Sequence, residues 1–247
     1  MNKMITKVEG FIVNEVNYGE SSKVINVLTK DFGLLGIMCK GVKSMKSRLR
    51  ALTLRFTYGF FYIYKKEGKL SLLKDVDVID PLSHIHSNIT LLGYCNYLTE
   101  LTQQVYRESE DIRIYPLFLD CIMKMEKGLD PMVLTNILEV KYLDFLGVGL
   151  HLDACVSCGS TKQIITINPD AGGYLCQNCV KDERIVSIKT VKMLRMYYYV
   201  EMKSISKLSV SEAVKNDIND FLNRYYERYT GMYLKSKEFL EKIKNLS

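Results

Sequence analysis

Four cysteines carry the clearest chemistry in the sequence. Cys155-Val156-Ser157-Cys158 and Cys176-Gln177-Asn178-Cys179 are two C-x2-C pairs with 17 residues between them. Each pair predicts a tight knuckle that points two sulfurs at one place. The spacer is long enough for a short hairpin that brings the knuckles together. Zn2+ takes four soft ligands in a tetrahedron, and thiolates supply them. A spacer of about 15–20 residues between two such pairs is a zinc signature. Gly159 and Gly172-Gly173 provide the turns. The expectation is one structural Zn2+ held by Cys155, Cys158, Cys176 and Cys179, with knuckle amides hydrogen-bonded to the sulfurs. A thioredoxin-like redox site needs one C-x2-C in a βαβ setting, and a catalytic zinc keeps an open position that four thiolates close. His151, just before the first knuckle, reads as a helix-end or surface residue rather than a ligand.

The second candidate is basic. Lys40, Lys43, Lys46, Arg48 and Arg50 recur every two or three residues, with Gly41, Ser44 and Ser47 among them. This pattern suits a loop or short helix whose side chains track phosphates. Phe56, Tyr58, Phe61, Tyr62 and Tyr64 follow closely and are candidates for stacking bases. Strand alternation sends some of these rings outward and the rest into a core.

Other chemistry lacks its parts. Gly36 to Ser44 resembles a P-loop, but Val42 interrupts the required Gly-Lys-Ser/Thr adjacency. No G-x-S-x-G, H-E-x-x-H or G-x-G-x-x-G occurs. The three histidines (His84, His86 and His151) form no evident dyad, and no carboxylate pair stands in an apolar setting. The expectation is a protein that is not an enzyme.

The elements that must position these residues fall into two kinds. Five apolar runs, at about 7–16, 22–30, 33–39, 55–65 and 70–79, predict strands separated by turn residues, with Gly33 supplying a positive φ. Only the third connection is long, and it is the basic segment. Five short strands with one extended link suit a small barrel, either an OB-fold or an SH3-like barrel. From Pro81 the period becomes helical. Leu91, Tyr94, Cys95, Leu98, Leu101 and Val105 form one stripe; Leu117, Cys121, Ile122 and Met125 form another. Asp130-Pro131 reads as an N-cap followed by a first-turn proline, with Gly147 ending that helix. Helical period resumes at about 188–200. Ser209 with Glu212 predicts a capping box, and a last helix covers about 232–245.

Composition agrees. The chain has 247 residues, 47% of them hydrophobic, enough for two small domains or one large one. Residues 1–80 hold 14 Lys and Arg against 8 Asp and Glu, while the rest of the chain is balanced. That asymmetry points to a polyanionic partner. Cys39, Cys95 and Cys121 sit singly in apolar stretches and read as buried core thiols in a reducing compartment. No apolar run of about 18 residues predicts a membrane span, and the N-terminus lacks the apolar region of a secretory signal. The expected location is the cytoplasm.

These motifs together resemble the RecO family. The resemblance is carried by Val8-Glu-Gly-Phe-Ile-Val13, Asn17-Tyr-Gly-Glu-Ser21, Val27-Leu-Thr-Lys30, Phe32-Gly33 and Lys40-Gly41-Val42-Lys43. Lys46-Ser-Arg-Leu49, Phe56-Thr-Tyr-Gly59, Tyr97-Leu-Thr-Glu-Leu101 and Phe145-Leu-Gly147 continue it. So do the cysteine knuckles and Leu234-Lys-Ser-Lys-Glu-Phe-Leu240. The match runs through nearly the whole chain in order, and it is specific as a set. It implies a multi-domain α+β protein: an N-terminal OB-fold barrel over 1–80, a helical domain over 81–153 and 184–247, and a four-cysteine zinc insert over 154–183. It also implies a bacterial recombination mediator, associated with the nucleoid during repair. Such a protein binds ssDNA and dsDNA and anneals complementary strands. It engages the C-terminal tail of the single-strand binding protein SSB and, with RecR, helps load RecA. Some relatives lack the zinc cysteines, so the metal is not the family's essential chemistry. The family usually has Gly-Ala-Arg where this chain has Gly41-Val42-Lys43, which keeps the charge but loses arginine's bidentate fork. The alternatives from other classes are a zinc-ribbon RNA-binding or translation-associated factor, a pure protein-interaction adaptor, and a metal-dependent enzyme.

Overall fold

The structure is a computed structural model describing residues 4–207 and 209–244. The chain forms two compact units, one of residues 1–126 with 236–247 and the other of residues 127–235.

The first unit contains the barrel. Its strands are β1 (Ile5–Tyr18), β2 (Ser22–Thr29), β3 (Gly33–Cys39), β4 (Tyr58–Tyr64) and β5 (Ser71–Asp80). They close in the order β1-β2-β3-β5-β4. Four of the five pairings are antiparallel, and β3 meets β5 in parallel at Ile37↔Ser71 and Met38↔Leu72. This order decides for the OB-fold over an SH3-like barrel. Inward residues such as Val8, Ile25, Val27, Ile37, Phe61 and Ile63 are fully buried. Each contributes roughly 1.5–3 kcal/mol by leaving water.

β1 serves both β4 and β2 because a bulge lies between Ile12 and Asn14. The carbonyl of the extra residue, Val13, accepts from Arg55 Nε at 3.1 Å and from Gln103 Nε2 at 3.4 Å. Gly33 has φ +62, as its turn requires, and a Cβ there would also strike the Tyr106 ring.

Four helices of this unit lie between β3 and the end of its first segment at Glu126: α1 (Leu49–Leu52), α2 (Ser83–Ser87), α3 (Ile89–Ser109) and α4 (Ile114–Glu126). The Asn88 side chain caps α3, accepting from Thr90 N at 2.9 Å and Leu91 N at 3.1 Å. The predicted stripe from Leu91 to Val105 is buried. On α4 the deepest ring is Phe118, edge-on to Phe11 at 5.1 Å. The helix at the chain's end packs here too. Glu100 accepts from Ser236 N at 2.9 Å and from its hydroxyl. Gly93 lets that helix approach, since a Cβ would lie 3.1 Å from Leu240 Cδ1.

The second unit contains α5 (Pro131–Phe145), a three-stranded sheet, α6 (Ile188–Tyr199) and α7 (Glu212–Thr230); the last helix, α8, is Lys235–Lys244. The sheet strands are β6 (His151–Cys155), β7 (Ile164–Asn168) and β8 (Gly173–Cys176). Asp130 caps α5 as predicted, with Oδ1 accepting from Met132 N and Val133 N. Gly147 follows the helix at φ +72. The Ser209–Glu212 capping box does not form. α7 begins after Ser211, and Glu212 at its first position turns to Lys215 instead. Cys39, Cys95 and Cys121 are buried as expected. Burial pushes the Cys39 thiol up to about 12 and raises Cys95 as well.

A four-cysteine centre and a candidate nucleic-acid interface

Sheet register brings the two knuckles together. β8 lies between β6 and β7. Its parallel pairing with β6 sets Cys155 opposite Tyr174, beside the end of β8 where the second knuckle begins. That approach needs Gly173, where a Cβ would lie 2.1 Å from the His151 carbonyl oxygen. The first knuckle closes with Gly159 N donating to Cys155 O at 2.8 Å; the second closes with Cys179 N donating to Cys176 O at 3.0 Å.

The four sulfurs all lie within 4.8 Å of one another, and this cluster could hold a metal ion. Cys158 Sγ and Cys176 Sγ are 3.6 Å apart. A disulfide requires about 2.05 Å. A tetrahedral site with metal–sulfur bonds of about 2.3 Å has sulfur–sulfur edges of about 3.8 Å. Burial disfavours a Cys155 thiolate. Backbone amides of Cys176, Cys158 and Ser157 outweigh it and bring that thiol down to about 6. Cys179 is pushed up to about 12, first by hydrogen bonding to Cys158 and Cys176. Four sulfurs cannot all be anions here without a cation among them. Cys155 and Cys176 are buried, Cys179 is half-buried and Cys158 is exposed. His151 is exposed on β6 and stands outside the cluster.

The helices of the unit hold this module. Tyr174 Oη donates to Val191 O at 2.8 Å, Arg195 to Leu152 O at 2.8 Å and Tyr225 Oη to Val148 O at 2.9 Å. A closed shell of four sulfurs on a braced sheet suits a structural metal rather than a reaction centre.

The basic segment is tethered, not loose. Val42 is 1% exposed in the barrel core, with Leu49 and Leu52 packed against the same core. Lys43 N donates to Ser21 O at 2.9 Å and Gly41 N to Ser22 Oγ at 3.2 Å. These contacts fix the backbone and leave Lys40, Lys43, Lys46 and Arg50 exposed. Lys40, Lys43 and Lys46 have no ion-pair partner among the described residues. Arg50 reaches the Met45 sulfur at 3.1 Å. Arg48 is placed differently: one guanidinium nitrogen donates to both Asp75 oxygens at 2.6 Å.

Alternation sends Phe61 inward and Tyr62 outward, while Tyr58, at the irregular start of β4, is buried although it shares the parity of Tyr62. Phe61 is in the core, and Tyr58 is buried with its hydroxyl donating to Glu9 at 2.8 Å. Tyr62 faces outward and donates to Asp77 at 2.8 Å. Phe56 is half-buried at φ 70 with Arg55 over its ring at 5.1 Å. Sequence reasoning missed Asp75 as the partner of Arg48, because 27 residues separate them and only barrel closure joins them.

Among the described residues, no helix is long and apolar enough to cross a membrane. Residues 1–82 match the family model described as Recombination protein O N terminal, and residues 86–238 match Recombination protein O C terminal. Among curated relatives, a DNA repair protein RecO of Halalkalibacterium halodurans is 33% identical, covering 98% of this chain and 97% of its own length. One of Bacillus subtilis is 32% identical over 98% and 96%, and one of Exiguobacterium sibiricum 35% identical over 98% and 99%. A five-stranded barrel, a helical region with a four-cysteine cluster, and likeness to these proteins from end to end place the chain in the RecO family of DNA repair proteins.

Proposed function

We propose that this chain is a non-enzymatic mediator of recombinational repair that binds ssDNA and dsDNA and anneals complementary strands. With RecR, it helps load RecA onto SSB-coated ssDNA. It reaches coated DNA through the C-terminal tail of SSB. Its four-cysteine centre holds one structural Zn2+.

The observation that carries the reading is the basic segment on the barrel. Lys40, Lys43 and Lys46 are exposed and lack acidic partners among the described residues, while their backbone is pinned. Fixed cations on an OB-fold suit a phosphate backbone. Phosphate charge neutralised on one strand lowers its repulsion for a complementary strand. Outward rings such as Tyr62 are available to bases. The metal's part is rigidity, since four thiolates leave no open position for substrate.

The test is strand annealing on SSB-coated oligonucleotides, with Lys43→Glu/Lys46→Glu/Arg48→Glu alongside the unmodified protein. The expected result is loss of annealing and of ssDNA binding with the fold intact by circular dichroism. If roughly five phosphates are neutralised, log affinity for ssDNA falls against log salt with a slope of about −3.5. Unchanged annealing by the triple variant, or a flat salt response, would overturn the reading.

A further inference from the structure

The four cysteines of the metal centre differ in what can reach them. Cys155 and Cys176 are buried, Cys179 is half-buried and Cys158 is exposed. The backbone causes this asymmetry. Cys155 ends β6 and Cys176 ends β8, and both pack with Leu175, Val156, Ile164 and Val180 in the module's small apolar core. Cys158 belongs to the turn that follows β6, where Gly159 takes φ +73 and its amide donates to Cys155 O at 2.8 Å. Ser157 and Gly159, on either side of Cys158, are exposed as well. A reagent arriving from solvent therefore meets Cys158 first.

Cys158 also has a sulfur neighbour in the opposite knuckle. Its Sγ lies 3.6 Å from Cys176 Sγ. A disulfide bond measures about 2.05 Å, so the two sulfurs need to close by about 1.5 Å. The partner is held in place: Cys179 N and Val180 N both donate to Cys176 O, at 3.0 and 3.2 Å, and Gln177 N donates to Gln163 O at 2.9 Å. An accessible sulfur beside a second cysteine that can resolve its oxidation is the arrangement of a redox-sensing pair. Cys39, Cys95 and Cys121 offer the contrast, since each is buried in the first unit.

We propose that Cys158 and Cys176 form a redox-sensitive clasp on the metal centre, converted by peroxide to a cross-knuckle disulfide with release of the metal. This clasp presupposes the Zn2+ proposed above. The Cys158 thiolate attacks one peroxide oxygen; an S–O bond forms, the O–O bond breaks and hydroxide leaves. The Cys176 thiolate then attacks the sulfur of that sulfenic acid; an S–S bond forms and a second hydroxide leaves. Peroxide gains two electrons and the two thiolates lose two. The two remaining sulfurs are too few for a structural shell, and Zn2+ departs. The new bond still joins the knuckles, whereas bonds from Cys155 to Cys158 and from Cys176 to Cys179 would leave them apart. Excess small thiol reverses the bond by exchange.

The experiment uses the full chain as purified, its zinc first counted by elemental analysis. Hydrogen peroxide is added, released zinc is read with a metallochromic chelator, and disulfides are mapped by mass spectrometry of unreduced peptides. The expected result is release of about one equivalent of zinc per chain. A Cys158–Cys176 cross-link should appear, reversed by dithiothreitol, with Cys39, Cys95 and Cys121 still free. Cys158→His keeps a zinc-ligating atom and removes the exposed sulfur. It should retain its zinc at the peroxide dose that empties the unmodified protein. If that variant fails to load zinc, the peptide map of the unmodified protein decides alone. Zinc held against peroxide with all thiols free, or zinc lost through disulfides confined to the two C-x2-C pairs, overturns the clasp. A purified chain without zinc overturns the metal reading itself and the clasp with it.

Discussion

Cys158 Sγ lies 3.6 Å from Cys176 Sγ, although 18 positions separate the two in the chain. The contact is made by β8 pairing between β6 and β7, not by either knuckle alone. Because unfolded thiols offer no formed site, metal affinity there is also folding energy. About one equivalent of zinc per chain is expected by elemental analysis. Cys158→Ser should lower that content and the Tm, and chelation of the unmodified protein should lower the Tm similarly. Full zinc content in Cys158→Ser would remove this residue from the shell.

Arg48 and Asp75 form an exposed pair, with 74% and 38% of their side chains accessible. Such pairs contribute at most about 1 kcal/mol. The amide of Val76 first, and then Arg48, hold the Asp75 carboxyl below its ordinary range. That small stabilisation is present above the ordinary carboxylate range and is lost as pH falls through the lowered value. At neutral pH the pair is intact and competes with phosphate for Arg48. Asp75→Asn is therefore expected to tighten ssDNA binding and steepen the salt slope by about 0.7, with stability nearly unchanged. Weaker binding by this variant would show that Arg48 needs Asp75 for its placement.

Arg55 belongs to the same basic stretch but has a structural task. Its Nε donates to the Val13 carbonyl of the β1 bulge at 3.1 Å, and a terminal nitrogen donates to Thr99 Oγ1 at 3.2 Å. Burial pulls its pKa below the ordinary arginine value. Arg55→Ala should cost about 1.5–3 kcal/mol, the value of hydrogen bonds to a charged group, without changing the salt slope for DNA. Denaturant titration beside a salt series separates the two. A shallower slope with full stability would assign Arg55 to the interface.

Alkaline pH should unfold the protein early. Tyr58 is pushed up to about 12, first by burial and then by its bond to Glu9; Tyr174 reaches about 12 chiefly by burial. In the unfolded chain both titrate near 10. The folded state holds these protons longer, so their stabilisation is complete below about 10 and is lost as pH rises toward 12. The Tm should decline steeply across that interval, with late phenolate absorbance. Tyr58→Phe should flatten the decline. Normal titration of all tyrosines near 10 in the native protein would contradict the burial seen here.

Much of the organisation was legible locally. Five apolar runs became five strands at nearly the expected limits, because period-two patterning and the turn at Gly33 are short-range properties. Asp130 capped its helix and Gly147 ended it for the same reason. The Ser209–Glu212 pattern misled because a capping box is satisfied only if the helix starts at its serine, and here Lys215 drew Glu212 into the first turn instead. α8 shows the limit from another side. Its helical period was readable, but its place beside α3 depends on Gly93 and Glu100, more than 130 residues earlier.

The sequence by itself determined the ligand types and spacing of the cysteine centre, the concentration of positive charge near the barrel and the succession of five strands followed by helices. These depend on residue identity and on neighbours within a turn or a knuckle. Only the tertiary structure decided that β3 closes on β5, that Phe61 faces inward while Tyr62 faces out, and that Arg48 spends its charge on Asp75 while Lys43 and Lys46 do not. Those outcomes depend on which distant strands come within hydrogen-bonding reach. Loop closure and core packing settle that jointly over the whole barrel, and no local pattern encodes it.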